Sequence, residues 1–203
     1  MTGRIVSVID DHAPVREALG EMLNVFGFEV ERYESALAFL DCPEARRTGC
    51  VVADVRMPGM DGIALVHEMK QRGLTAPVVL ISGHANVLMA VAAIKAGAQD
   101  FIEKPVDDTQ LVAAINRSLA LAAEGDGMPS KAVLAERFAR LTPRQAEVFD
   151  LVTQGYSSQA ISGRLGLSPR TVESYRAAVM EKMQAESVAV LVRQAIRVGR
   201  IPA

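Results

Sequence analysis

Strand-like runs recur through the first half of the chain at Ile5–Ile9, Glu29–Tyr33, Val51–Ala53, Val78–Ile81 and Phe101–Ile102. Between them the apolar positions change period. Val15, Leu19, Met22, Leu23 and Phe26 keep helical spacing, as do Ile63, Leu65, Val66 and Met69, then Val87, Val91 and Ile94, then Leu111, Val112, Ile115 and Leu119. Five strands alternating with such helical runs predict βαβ crossovers, and so an α/β doubly wound five-stranded parallel sheet.

The pattern changes after residue 122. Ala122–Ser130 is small, polar and broken by Gly and Pro, as a linker is, and Val133, Leu134 and Phe138 then keep helical spacing over a short stretch. Four further helices are punctuated explicitly. Thr142-Pro143-Arg144-Gln145 supplies an N-cap, a first-turn proline and a capping-box Gln, and Gly155 closes that helix. A second helix runs from Ser157 or Ser158 to Leu165, with Gly166 as the turn. Ser168-Pro169 opens the third, which puts Val172, Tyr175, Val179 and Met183 on one face, and the last runs from near Ser187 to Gly199. The expected division is 1–122, a partly helical linker 123–140, and an all-α four-helix domain 141–203.

Charge sharpens this division. The whole chain of 203 residues carries a net charge of −2, yet residues 1–125 hold 11 Lys/Arg against 17 Asp/Glu and residues 126–203 hold 11 against 7. An acidic half joined to a basic half points to a nucleic-acid partner for the second. Cys42 and Cys50 have no metal-ligand or redox spacing, no run reaches the length of a membrane span, and the first apolar run meets Asp10-Asp11 too soon for a signal peptide, so a cytoplasmic location is expected.

The carboxyl ends of parallel strands are where α/β folds gather their chemistry. Here they deliver Asp10 and Asp11, then Asp54, then Ser82, then Lys104 followed by Pro105. Taken singly, Asp10-Asp11 reads as a helix cap and Asp54 as a strand-end acid; the set together reads as a site. Clustered carboxylates repel unless a hard cation lies among them, so a Mg²⁺ site is expected. A carboxylate nucleophile, a divalent cation, an ammonium and a hydroxyl suit phosphoryl transfer onto Asp54.

These residues, with Met57-Pro58-Gly59-Met60-Asp61-Gly62, Ser82-Gly83, Ala96-Gly97-Ala98 and Lys104-Pro105, resemble the CheY-like receiver domain of two-component response regulators. The resemblance implies that Asp11, Asp54 and the Arg56 backbone carbonyl bind Mg²⁺ directly, with Asp10 acting through water. It implies that Lys104 pairs with the phosphoryl group, that the peptide before Pro105 is cis, and that Ser82 and Phe101 form a switch pair. It also implies a homodimer on phosphorylation through a face that includes Val91 and Lys95. Ser82 stands where the family more often has Thr, and His84-Ala85-Asn86 departs from the usual loop; both bear on phosphoryl lifetime.

Two helices, a Gly-containing turn and a third helix with a partly basic face form a helix-turn-helix pattern. Leu141–Val148, Leu167–Glu173 and Met180-Glu181-Lys182-Met183 resemble the LuxR class of DNA-binding domains, so the whole chain resembles a FixJ-type response regulator. This implies that Glu173, Ser174 and Ala177 face base edges and that Arg170, Thr171, Arg176 and Lys182 lie near phosphates. Ser158-Gln159 replaces the Asn-Lys common in relatives, which removes one phosphate contact. The implied partners are a sensor histidine kinase, double-stranded DNA at an inverted repeat, and RNA polymerase. Two rival readings are a DNA-binding protein whose receiver-like domain is a constitutive dimerisation module, and an aspartate-nucleophile phosphatase. The phosphatase reading is weakened because Arg56 stands where a second Asp would be needed, so no enzyme is expected.

Overall fold

The computed structural model describes residues 5–83, 87–124 and 128–202; His84, Ala85 and Asn86 and the linker residues Gly125, Asp126 and Gly127 lie outside the described residues. In chain order the elements are β1 (Ile5–Ile9), α1 (Ala13–Val25), β2 (Glu29–Tyr33), α2 (Ala36–Leu40), a 3₁₀ turn (Pro43–Arg47), β3 (Cys50–Asp54), α3 (Gly62–Gln71), β4 (Val78–Ser82), α4 (Val87–Ala96), β5 (Asp100–Glu103) and α5 (Asp108–Glu124). Then follow α6 (Lys131–Ala139), α7 (Pro143–Thr153), α8 (Ser158–Leu165), α9 (Pro169–Met183) and α10 (Val188–Arg197). Two compact units result, Met1–Ala85 with Ala96–Gly127, and Asn86–Lys95 with Met128–Ala203.

All strand pairs in the first unit are parallel, in the order β2-β1-β3-β4-β5. Strands β1, β3 and β4 are buried at every position, as strands covered on both faces should be, and this is why they read as near-continuous apolar runs. The edge strand β2, Glu-Val-Glu-Arg-Tyr, is charged and half exposed, which discourages pairing with another chain. Leu23, Val52, Ile81, Ile102, Leu111 and Ile115 lie in the core cluster, each at most 2 % exposed, and burying one such side chain is worth about 1.5–3 kcal/mol. Phe26, placed by spacing on the inner face of α1, is 44 % exposed because the helix ends at Val25 and Gly27, at φ +82°, turns the chain away. Helix α5 runs to Glu124, two residues into the stretch expected as linker; its Ala-rich end has the propensity to continue.

The strand order requires the chain to leave β1 toward β2 on one side and to place β3 on the other. The crevice opened by that reversal lies at the carboxyl ends of β1 and β3. Asp10 follows the one and Asp54 ends the other.

The second unit is helical. Thr142 and Gln145 form the expected capping box, Ser157, Ser168 and Ser187 cap α8, α9 and α10, and Gly166 adopts φ +63° to turn between α8 and α9. Val148, Phe149, Ile161, Val172, Val179 and Leu191 form its interior. Helix α6 is part of this packing: Leu134 is fully buried and Phe138 meets Phe149 edge to face at 5.1 Å. Among the described residues no helix is long and apolar enough to cross a membrane.

Candidate phospho-acceptor site and nucleic-acid interface

Strand β3 carries Asp54 to the rim of the sheet, where it is only 8 % exposed. Its Oδ1 accepts from Lys104 Nζ at 2.6 Å and its Oδ2 from the Arg56 backbone N–H at 2.6 Å. The same ammonium reaches Asp10 Oδ2 at 3.0 Å, and Asp10 Oδ1 accepts from the His12 N–H at 2.8 Å. Lys104 therefore bridges the two buried carboxylates. Burial disfavours its charged form, but the hydrogen bonds to Asp54 and Asp10 and their charges outweigh that, so its pKa lies above the ordinary lysine value. The Lys104–Pro105 peptide is cis.

Helix α3 is seated directly on the end of β3. Asp61 caps it, accepting from the Ala64 N–H at 2.7 Å, and the Gly62 N–H bonds the Val55 carbonyl at 2.9 Å. A Cβ at Gly62 would stand 2.5 Å from the Asp54 carbonyl oxygen, so only glycine permits this approach. Ser82, at the end of β4, is 1 % exposed, whereas Phe101 on β5 is half-buried. The Phe101 N–H donates to Asp100, which is itself paired with Arg117 at 2.7 Å. Asp11 is exposed.

Among the described residues no three His, Cys, Asp or Glu side chains gather as a closed metal cage. Mg²⁺ does not need one, since it takes one or two carboxylates together with waters and phosphate oxygens. Asp54, Asp10 and the exposed Asp11 offer hard oxygen donors of that kind. One participant escaped sequence reasoning: Arg16, one turn into α1, donates to the Asp10 carbonyl at 2.6 Å and so braces the loop that carries both acids. Nothing in its spacing distinguishes it from any other exposed-face arginine.

In the second unit, α8, the Gly166 turn and α9 form the helix-turn-helix. Its turn is braced by Arg144 donating to the Leu165 carbonyl and Ser162 to the Leu167 carbonyl, each at 2.5 Å. Arg170, Glu173, Ser174 and Ala177 are exposed on α9, and Thr171 and Arg176 are half-buried. The Thr171 hydroxyl lies 2.7 Å from that of Ser168, and Ser174 Oγ donates to the Arg170 carbonyl. Arg176 reaches across to α8 and donates to Ser158 Oγ at 2.5 Å, with Glu173 3.8 Å away. Lys182 is turned inward, onto the Arg140 carbonyl and Gln145 Oε1. Of the α4 residues expected at a dimer face, Val91 is buried at 4 % exposure and Lys95 is half-buried.

A buried strand-end carboxylate at the sheet's reversal point, joined in one chain to a helix-turn-helix, defines a response regulator. Family models agree: residues 6–116 match the response regulator receiver domain and residues 139–195 the bacterial regulatory proteins of the luxR family. The chain belongs to the FixJ-type response regulators, a receiver followed by a LuxR-type DNA-binding domain. It is 44 % identical to the transcriptional regulatory protein FixJ of Azorhizobium caulinodans over 98 % of this chain and 94 % of that one. It is 36 % identical to the response regulator protein TodT of Pseudomonas putida, over 93 % and 84 %. Among solved structures, full-length FixJ from B. japonicum aligns over 99 % of this chain and all of that one, at 43 % identity and a TM-score of 0.57. The chain is thus a phosphorylation-activated transcription regulator, with a sensor kinase and DNA as its partners.

Proposed function

We propose that Asp54 is the phospho-acceptor and that its phosphorylation by a sensor histidine kinase drives dimerisation and DNA binding. The observation that carries this is the Asp54 carboxylate, held 2.6 Å from Lys104 at the reversal point of the sheet. An oxygen of Asp54 attacks phosphorus as the bond to the phosphodonor breaks, and Lys104 shifts from pairing the carboxylate to pairing the phosphoryl oxygens. Asp11, Asp54 and the Arg56 carbonyl would hold Mg²⁺, with Asp10 acting through water; the ion supplies charge neutralisation for the transferring group. Ser82 Oγ donates to a phosphoryl oxygen, and Phe101, half-buried before the event, turns into the space vacated.

Residues 1–122 serve as receiver and 141–203 as the DNA-binding domain, with α6 between them packed into the latter's core. DNA is read as a symmetric dimer at an inverted repeat, and Val91 and Lys95 belong to the activated dimer face. Glu173, Ser174 and Ala177 meet base edges, Glu173 accepting from cytosine, while Arg170, Thr171 and Arg176 meet phosphates. Ser158 does not itself supply a cation at the amino end of α8, but the Arg176 it holds there does. RNA polymerase is the downstream partner and the bacterial cytoplasm, where DNA is read, is the place of action; no turnover of a substrate is implied.

Replacing Asp54 with Asn should leave the fold intact and abolish hydroxylamine-labile phosphate when the chain is incubated with Mg²⁺ and a cognate kinase or acyl phosphate. If the variant still forms that phosphate, the assignment of Asp54 is wrong. If the wild-type protein dimerises and binds DNA equally with and without beryllofluoride, the receiver is a constitutive dimerisation module.

A further inference from the structure

We infer that Lys182 is a positioning residue that holds the pitch of α9 for base recognition, and that its charge does not serve as a phosphate contact. The proposal rests on the reading of α9 as the DNA-facing helix. Lys182 lies in the last turn of α9, and its ammonium donates to the Arg140 carbonyl at 3.0 Å and to Gln145 Oε1 at 2.8 Å. Neither acceptor is incidental. Arg140 is the C-cap of α6, and a helix end carries carbonyls that its own backbone does not satisfy, so a cation is favoured there. Gln145 is buried at 9 % exposure, and its Oε1 already accepts from the Thr142 N–H in the capping box that starts α7.

The neighbouring residue repeats the arrangement. The Met183 carbonyl accepts from Arg137 of α6 and from Gln194 Nε2 of α10, both at 3.2 Å. Two successive residues at the end of α9 are therefore bonded to α6, α7 and α10. The residues that face solvent for reading lie at the other end. At 1.5 Å per residue, Glu173, the base-reading residue farthest from Lys182, is about 13.5 Å along the axis from it, so a tilt of about 5° at the pinned end displaces it by about 1.2 Å. That is enough to spoil bidentate hydrogen bonds to base edges while leaving a diffuse attraction to the backbone almost untouched. Recruiting Lys182 to a phosphate would take its donor from the Arg140 carbonyl at the end of α6 and leave Gln145 Oε1 with the Thr142 N–H alone, a cost that offsets what a single phosphate contact returns.

The test uses the full chain, activated with beryllofluoride, and a labelled duplex enriched from a random-sequence pool by the wild-type protein, alongside a shuffled duplex of the same composition. Affinity for each is measured across a salt series. Lys182→Met should lower the ratio of enriched to shuffled affinity about tenfold and leave the slope of log affinity against log salt unchanged. Gln145→Leu, which keeps the charge, should do the same, and the double variant should be no worse than either single one. Lys182→Arg, which retains donors at that position, should recover most of the ratio. Arg170→Met is the control, and should flatten the slope by about one per protomer. A flattened slope with an unchanged ratio in Lys182→Met overturns the proposal. Where Lys182→Met fails to fold, Gln145→Leu decides: an unchanged ratio overturns the proposal and a lowered ratio at unchanged slope supports it. If Arg170→Met leaves the slope unaltered, it is the reading of α9 as the DNA-facing helix that fails, a result distinguishable from failure of the positioning role itself.

Discussion

The acidic rim of the receiver and the polar face of α9 both gather charged side chains, and they treat them in opposite ways. At the rim, Asp10 and Asp54 are buried and face a single ammonium over 2.6–3.0 Å. On α9, Arg170, Glu173 and Ser174 stand in solvent. Charges held at short range behind protein are little screened by salt, whereas exposed charges acting on a polyanion are screened strongly. On the proposed function, the rim exchanges one close partner for another and the helix face meets a partner that arrives.

Salt should separate the two most sharply. Taking two phosphate-contacting cations per protomer, raising salt fourfold from about 50 mM should weaken DNA binding by about 10²-fold, as followed by fluorescence anisotropy. The yield of acyl phosphate on Asp54 from a small-molecule donor should stay within about twofold. Equal sensitivity of the two would break the comparison.

A smaller effect is expected from Lys104→Met, which leaves Asp10 and Asp54 facing each other without a counter-charge. Lys104 is 26 % exposed, so the loss should be about 2 kcal/mol, below the range for a fully buried pair. Denaturant titration at neutral pH should show it, and Mg²⁺ should return much of it. The pH dependence has a defined sign. Because the folded-state pKa of Lys104 is raised, its contribution is complete below the ordinary lysine value of about 10.4 and is lost as pH rises through the higher folded value. The gap between wild type and variant should therefore be flat through neutral pH and close only in strong alkali.

The smallest effect sharpens the comparison from the other side. Thr142→Ala removes the capping box of α7 and should destabilise the second unit by about 1 kcal/mol. Thermal unfolding should register it, with no change in the rate at which Asp54 is phosphorylated.

Much of this is legible in the chain itself. Strands β1, β3 and β4 are visible because burial on both faces leaves mainly apolar runs, and the helix starts because Ser168-Pro169 or Thr142-Pro143 satisfies backbone donors with local side chains. Phe26 departs from its expected place because apolar spacing does not say where a helix stops. Arg16 gives no signal because its partner is a backbone carbonyl, which leaves no mark on the sequence.

What the sequence by itself determined is therefore local or periodic: the order of elements, their caps, and which residue types arrive at the strand ends. Which charges meet was decided only by the tertiary structure. Lys104 pairs with residues 50 and 94 positions away, Arg176 with Ser158 of the preceding helix, and Lys182 with the ends of α6 and α7. A long flexible cation can serve water, a phosphate or a carbonyl equally well, and only the distance at which packing leaves it from each acceptor selects among them.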